Sequence, residues 1–286
     1  MVRIHDITPA LACTTCRGTL SAQEESYICD SCKQVFIIRD EKIFFEEYKD
    51  LSAEARPDAL VYRLKRFLKS RWPLFFFLVY RLVNARVGPN LPKIIRTLPE
   101  HARIVNVGSG AKPVDPRVIN VDFVAEPGVD LVANVYSLPF RDSSVDMLIA
   151  ESIFEHLETP SAAVAEIHRV LKPGGTLFVV TPFMFGFHSS PGDYYRWTIP
   201  GMHILLKGFS VVDAGVQIGP TGAFAAIMRE WLAILLSFNV RLLYQLWTLF
   251  FMVLLIPLNI FDWLISRYTV ATQIAMEYYF IATKQD

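Results

Sequence analysis

The chain has 286 residues, 52% hydrophobic and 13% aromatic, and its 28 basic and 28 acidic residues cancel to zero net charge. That length exceeds a typical domain of roughly 100–150 residues, so a main domain with appendages is expected. Zero net charge excludes a global electrostatic pull toward nucleic acid, although Leu60–Arg86 carries seven Lys/Arg and no acid.

Residues 1–12 contain no long apolar run. No secretory signal is therefore expected, and the reducing cytoplasm is the expected compartment. Residues 1–48 read as a small module of β-formers with two cysteine pairs, Cys13-x2-Cys16 and Cys29-x2-Cys32. Two intervening residues let both thiolates of a pair reach one ion, and two pairs close a tetrahedral shell. This is the spacing of a structural zinc ribbon. Residues 49–101 should form a basic, helical linker region, with Trp72–Tyr80 (WPLFFFLVY) as its apolar centre.

From residue 102 onward the pattern becomes one larger domain. Short apolar strands are expected at Ile104–Val107, Val118–Val121, Asp130–Val132, Val145–Ala150 and Thr176–Thr181, with a helix at Ser161–Leu171. Strands alternating with helices predict an α/β, doubly wound and mainly parallel sheet. Phe209–Ala214 and Met276–Thr283 are sixth and seventh strands, separated by an apolar helical insert over 222–270.

The first of these strands runs into Gly108-Ser109-Gly110. Glycines there let the backbone turn tightly and approach a ligand. A dinucleotide fingerprint needs a third glycine, and Ala111, Lys112 and Pro113 follow instead, which argues against a nicotinamide cofactor. Asp122 ends the second strand, where a carboxylate can accept from two ribose hydroxyls. Asn134 and Val135 follow the third strand, within reach of an adenine.

In this order, the glycine turn, LPF (Leu138–Phe140), the D-M-L-I strand, EHL (Glu155–Leu157) and HRVLKPGG (His168–Gly175) resemble the methyltransferase type 11 family of class I S-adenosylmethionine enzymes. The resemblance covers Ile104–Phe183. It implies a Rossmann-like sheet and S-adenosylmethionine as cofactor. Gly108, Ser109 and Gly110 would line its methionine part, Asp122 would bind ribose, and Asn134 and Val135 would meet adenine. Glu151 would face the sulfonium. Asn106 stands where relatives have Asp or Glu, and Asn134 where many have Asp. Glu155 and His156 are expected to organise a loop, and Lys172–Gly175 to stop a helix and turn the chain. The cysteine module resembles the zinc-ribbon activator subunits of tRNA and protein methyltransferases.

Methyl transfer from a sulfonium is a displacement, so alignment is most of the work and a nearby base assists an oxygen or nitrogen acceptor. The loop after the fifth strand gathers His188, Asp193, Tyr194, Tyr195, Arg196 and Trp197. It resembles an H-x-x-P-x-D-Y-x-R-[WF]-T pattern of bacterial methyltransferases associated with surface-sugar biosynthesis. His188 is the candidate base, with Asp193 as its orienting partner or substitute. In a purely structural alternative, Asp193 pairs with Arg196 to fold the loop.

Leu242–Phe261 runs twenty residues without a charge, long enough to cross a bilayer of ~30 Å. The resemblance implies that the last strand returns antiparallel between strands five and six. A single crossing would strand it on the wrong side, so a helical hairpin lying in the interface and bent near Pro257 is expected. The basic Arg63–Arg71 would add attraction to an anionic surface.

The combined expectation is a methyltransferase on the inner membrane face, with structural zinc and a small or lipid-linked acceptor such as a glycan precursor. Nucleic acid is disfavoured as a partner. The rival readings are a tRNA or protein methyltransferase, suggested by the ribbon, and a non-catalytic scaffold that retains the fold.

Overall fold

The computed structural model describes residues 7–46, 86–111, 114–188 and 192–285. The expected basic stretch Arg63–Arg71 and the apolar Trp72–Tyr80 lie outside them. The cysteine module supplies four strands, β1 (Leu20–Ala22), β2 (Ser26–Cys29), β3 (Val35–Arg39) and β4 (Lys42–Phe44). The main domain adds β5 (Ile104–Val107), β6 (Val118–Asp122), β7 (Leu131–Val132), β8 (Val145–Glu151), β9 (Leu171–Pro182), β10 (Phe209–Ile218) and β11 (Glu277–Lys284). Its longer helices are α1 (Leu91–Thr97), α2 (Pro160–Val170), α3 (Ile199–Leu205), α4 (Pro220–Ser237) and α5 (Arg241–Leu254). A single turn, α6 (Asp262–Ile265), precedes the last strand.

Among the described residues all eleven strands join one sheet in the order β1-β2-β3-β4-β7-β6-β5-β8-β9-β11-β10. β5, β6, β7, β8 and β9 are parallel to their neighbours within that group. Parallel strands covered on both faces should read as continuous apolar runs. Every residue of β5 and β6 is indeed buried. Alternation along the strands sorts their side chains into two cores. Val105, Val107, Ile119, Val121, Leu148, Ala150, Leu177 and Val179 share one core with Ala163, Val164, Ile167 and Val170 of α2. Ile104, Val118, Met147, Ile149, Phe178 and Val180 pack on the other face, under Leu91 and Ile95 of α1. Asn90 caps α1, accepting from the Lys93 N–H at 3.1 Å, as short polar side chains do at helix starts.

The seventh expected strand returns as anticipated: β11 is antiparallel to both β9 and β10 and lies between them. Two strands exceed their expected length by several residues. β10 continues to Ile218 through Gly215 and Gln217, using irregular register steps against β11. β9 starts at Leu171 and carries the Lys172–Gly175 turn as a bulge, because Val145 opposes Leu171 while Met147 opposes Thr176. Gly174 takes φ +71° there, a left-handed value that glycine adopts without penalty. The expected helix stop is thus built into the strand.

The cysteine module extends the same sheet, since β4 pairs parallel to β7 with Ile43 opposite Leu131. Tyr27, Phe36, Ile43 and Phe45 belong to the α2-side core. Arg17 bridges the two parts, donating to the Leu138 carbonyl at 3.1 Å and pairing with Glu166 at 3.0 Å.

Within 222–270, α4 and α5 pack as a hairpin, with Phe238 in the left-handed region at the end of α4. Asp262 is fully buried although it sits in an apolar run. It accepts from the Thr221 and Gly222 N–H groups at 2.7 and 2.9 Å, so a side chain from α6 satisfies the start of α4. Among the described residues no single helix is long and apolar enough to cross a membrane. Arg241–Leu254 and Ile256–Ile265 pass that test together but bend by 42°, at Leu255 and beside Pro257.

Candidate functional site

The carboxyl ends of β5, β6, β7 and β8 open onto a cavity of about 690 Å³. This is where open α/β sheets bind ligands. Gly108, Asp122, Phe123, Asn134, Val135, Ser152, Ile153, His156 and Tyr194 are among its lining residues. Gly108 is at φ +67°, and a Cβ there would stand 2.1 Å from Ile153 Cγ2. Gly110 is at φ +54° with nothing within 4 Å of a built Cβ. The first glycine is thus required by sterics and backbone together, the second by backbone alone.

Asp122 fastens this turn. Its Oδ2 accepts from Gly110 N–H at 2.8 Å and its Oδ1 from Val124 N–H at 2.9 Å. Each carboxylate oxygen has two lone pairs, so both retain capacity for a diol. Asn134 Oδ1 accepts from the Tyr136 N–H at 3.1 Å, which turns the chain at the cavity wall. Ser152, at φ +52°, sits in the left-handed region directly on the lining. Such a conformation is costly for a non-glycine residue and clusters at working sites.

Of the eight expected cofactor residues, Gly108, Asp122, Asn134 and Val135 line the cavity. Asn106, Ser109, Gly110 and Glu151 are not among its lining residues. Asn106 is buried in β5 in register with Asn120. Ser109 N–H is tied to the Val121 carbonyl. Glu151 forms a two-pronged pair with Arg86, at 2.8 and 3.1 Å, so its carboxylate is engaged in joining β8 to the segment before α1.

The loop carrying His188 and Asp193 is organised as the structural alternative foresaw. Arg196 clamps Asp193 at 2.5 and 2.7 Å, and Asp193 Oδ2 also accepts from the His188 N–H at 2.8 Å. Burial pushes the Asp193 carboxyl upward, but Arg196 and the His188 N–H overcome it and hold it at about 2. Both oxygens of Asp193 are thus engaged, by Arg196 and by the His188 N–H. At His188, burial lowers the pKa while Glu155, the Gly186 carbonyl and Asp193 raise it; the net direction is upward. His188 is not among the lining residues, whereas His156 is, and the two rings meet edge to face at 5.0 Å.

Sequence reasoning passed over two acids and an arginine here, and gave a third acid, Glu155, only a loop-organising role. Glu155 does organise its loop, its carbonyl accepting from Tyr194 N–H at 2.7 Å. Its carboxylate, however, is completely buried and has no hydrogen-bond partner among the described residues. Glu158 accepts from the Tyr194 hydroxyl at 3.1 Å. Burial pushes the Glu277 carboxyl up to about 7, with Arg86 opposing and Glu151 and Glu155 adding. Glu277 lies far in sequence from the motifs, and the pairing of β11 with both β9 and β10 brings it to this edge, where Arg86 bridges to Ile218.

In the module the four cysteine sulfurs all lie within 4.8 Å of one another. Each pair is followed by a residue in the left-handed region, Arg17 at φ 62° and Lys33 at φ 64°, which folds each pair into the same tight turn. The Cys32 N–H lowers the Cys29 thiol to about 6 against the effect of burial, and a thiolate is the form that ligates metal.

Residues 112–179 match the family model described as a methyltransferase domain. A Mycolicibacterium smegmatis protein named "Probable S-adenosylmethionine-dependent methyltransferase" is 42% identical over 67 residues, covering 23% of this chain and 25% of its own. An uncharacterized methyltransferase of Mycobacterium tuberculosis is 29% identical over 107 residues, covering 36% of this chain and 42% of its own. The chain thus spans well under half the length of these curated relatives. A solved S-adenosylmethionine-dependent methyltransferase from Methanosarcina mazei superposes with a TM-score of 0.42 at 14% identity, covering 69% of this chain and 99% of its own.

Proposed function

We propose that this chain is an S-adenosylmethionine-dependent methyltransferase that acts on a small or lipid-linked acceptor at the inner face of a membrane. The cavity carries this reading. A sterically required glycine turn, a carboxylate with free lone pairs and an amide at the third strand line one space at the carboxyl edge of the sheet. Asp122 would accept from the ribose hydroxyls, and Gly108 would let the methionine part lie against the backbone. Val135 and Phe123 would cover the adenine. When bound, the cofactor supplies an electrophilic methyl: an acceptor lone pair bonds to that carbon as the carbon–sulfur bond breaks and its electrons stay on sulfur.

The other assignments rest on separate observations. The four converging sulfurs support a structural zinc ion held by Cys13, Cys16, Cys29 and Cys32. Membrane docking is supported by the exposed apolar faces of α4 and α5, where Trp231, Ile234, Phe238, Leu242, Leu246 and Phe250 all face outward, a patch of the kind that marks an interaction surface.

Calorimetric titration of the detergent-purified protein with S-adenosylmethionine and S-adenosylhomocysteine tests the reading. Micromolar binding that is lost in Asp122→Ala is expected. Absence of binding by the folded, zinc-loaded protein would favour the non-catalytic scaffold.

A further inference from the structure

The geometry points to a divalent transition-metal site formed by Glu155, His156 and His188 at the rim of the cavity, distinct from the cysteine cluster. One ligand atom from each residue lies within 4.8 Å of the others. Glu155 Oε1 stands 3.7 Å from His156 Nε2 and 3.8 Å from His188 Nε2. Those separations are too long for hydrogen bonds. They fit two donors sharing an ion, since bonds of about 2.0–2.2 Å place neighbouring ligand atoms roughly 3–4 Å apart.

Burial gives this arrangement a reason to hold a cation. Glu155 has no exposed surface, and neither carboxylate oxygen has a hydrogen-bond partner among the described residues. A buried carboxylate is costly unless it is paired or ligating. Arg196 is the nearby fixed cation, but its guanidinium is matched by Asp193 and by the Phe185 and Gly186 carbonyls.

The histidines are oriented as ligands. His156 Nδ1 is hydrogen-bonded to the Gly192 carbonyl. His188 Nδ1 lies 3.3 Å from the Gly186 carbonyl and 3.6 Å from Asp193 Oδ2, two acceptors, with the Arg196 Nη2 donor at 3.5 Å. With protons held on Nδ1, both Nε2 lone pairs point toward Glu155. Metal-binding histidines are characteristically fixed in this way, by an acceptor on the other ring nitrogen.

Two imidazoles and one carboxylate suit Mn²⁺, Fe²⁺, Co²⁺, Ni²⁺ or Zn²⁺ better than the oxygen-seeking Mg²⁺ or Ca²⁺. Three protein ligands leave coordination positions open, and His156 borders the cavity. An acceptor oxygen could complete the shell there. The cation would lower that oxygen's pKa, releasing its proton to solvent and leaving the lone pair for methyl transfer. This consequence rests on the methyltransferase reading, whereas the cation site itself does not.

The test is cobalt titration of the full-length protein, followed by optical spectroscopy and by competition with a chromophoric chelator. Two Co²⁺ per chain are expected, one with intense thiolate-to-cobalt charge transfer and one with only the weak visible bands of nitrogen and oxygen ligands. Glu155→Gln and His188→Ala should each weaken the second site by at least ~100-fold, beyond the effect typical of altering a residue behind a ligand. They should leave the thiolate bands unchanged. His188 is partly exposed, so its variant guards against misfolding of the buried Glu155 variant. A single, thiolate-bound Co²⁺ per chain, or a second site indifferent to both substitutions, would overturn the proposal. Cation binding without cofactor binding would instead retain this site and remove the methyltransferase reading.

Discussion

The β5–β9 sheet and the α4–α5 hairpin are both strongly apolar in sequence, yet they treat their side chains in opposite ways. In the sheet, Ile104, Val105, Met147, Leu148, Phe178 and Val179 are completely buried, because both strand faces are covered. In the hairpin, Trp231 is 61% exposed and Phe238 80%, because a helix that is apolar around most of its circumference can hide only one stripe against its neighbour. Hydrophobicity therefore marks a core in one region and an exposed face in the other, and periodicity with topology tells them apart.

The comparison can be broken first at the sheet's far edge. If β1–β4 depend on zinc, chelation should release amide-exchange protection across residues 11–45 while leaving β5–β9 protected, as expected when metal binding supplies folding energy. Equal loss in both regions would show that the sheet behaves as one unit. In the core, Phe178→Ala should cost ~3–5 kcal/mol in chemical denaturation, as truncation of a fully buried aromatic usually does. A cost below ~1 kcal/mol would mean the packing around α1 is looser than its burial implies.

The junction between module and core offers a smaller, pH-dependent effect. Burial raises the Glu166 pKa, but the Arg169 and Arg17 guanidiniums and the Leu138 N–H reverse this and hold it below the ordinary value. A carboxylate depressed on folding contributes stability above its unfolded pKa of ~4.3, and loses it as pH falls through the folded value. Glu166→Gln should therefore cost about 1–3 kcal/mol at neutral pH and flatten the acid limb of the stability profile. An unchanged acid limb would remove Glu166 from the account. At the hairpin, replacing Trp231 and Phe238 together with serine should change stability by only ~0.5 kcal/mol per site while abolishing pelleting with anionic liposomes. Retained pelleting with loss of stability would make this face a core rather than a docking surface.

The sheet was legible because its strands are short, continuous apolar runs punctuated by turns. β5 matches its expected bounds, and the return of β11 between β9 and β10 follows the resemblance. β10 extends beyond its apolar start because Gly215, Val216 and Ile218 are held by pairing to β11, with Gln217 at an irregular step between them, rather than by hydrophobicity alone. The attachment of β4 to β7 joins residues almost ninety positions apart, which no local pattern encodes. At the site, the glycine turn and Asp122 carry short-range signals. Glu155 looked like an ordinary loop acid, because its setting is made by contacts remote in sequence, the Tyr194 N–H on its carbonyl and His188 beside its carboxylate. Asp193, the expected partner of His188, accepts from the His188 N–H and also anchors Arg196.

The central claim is that the cavity at the ends of β5–β8 holds the cofactor. Amide hydrogen exchange with and without S-adenosylhomocysteine addresses it directly. The account predicts slowed exchange at residues 108–110, 122–124, 133–136 and 152–156, with the α4–α5 hairpin unchanged. Unaltered exchange in those segments under conditions where the ligand binds, or protection confined to another part of the sheet, would contradict it.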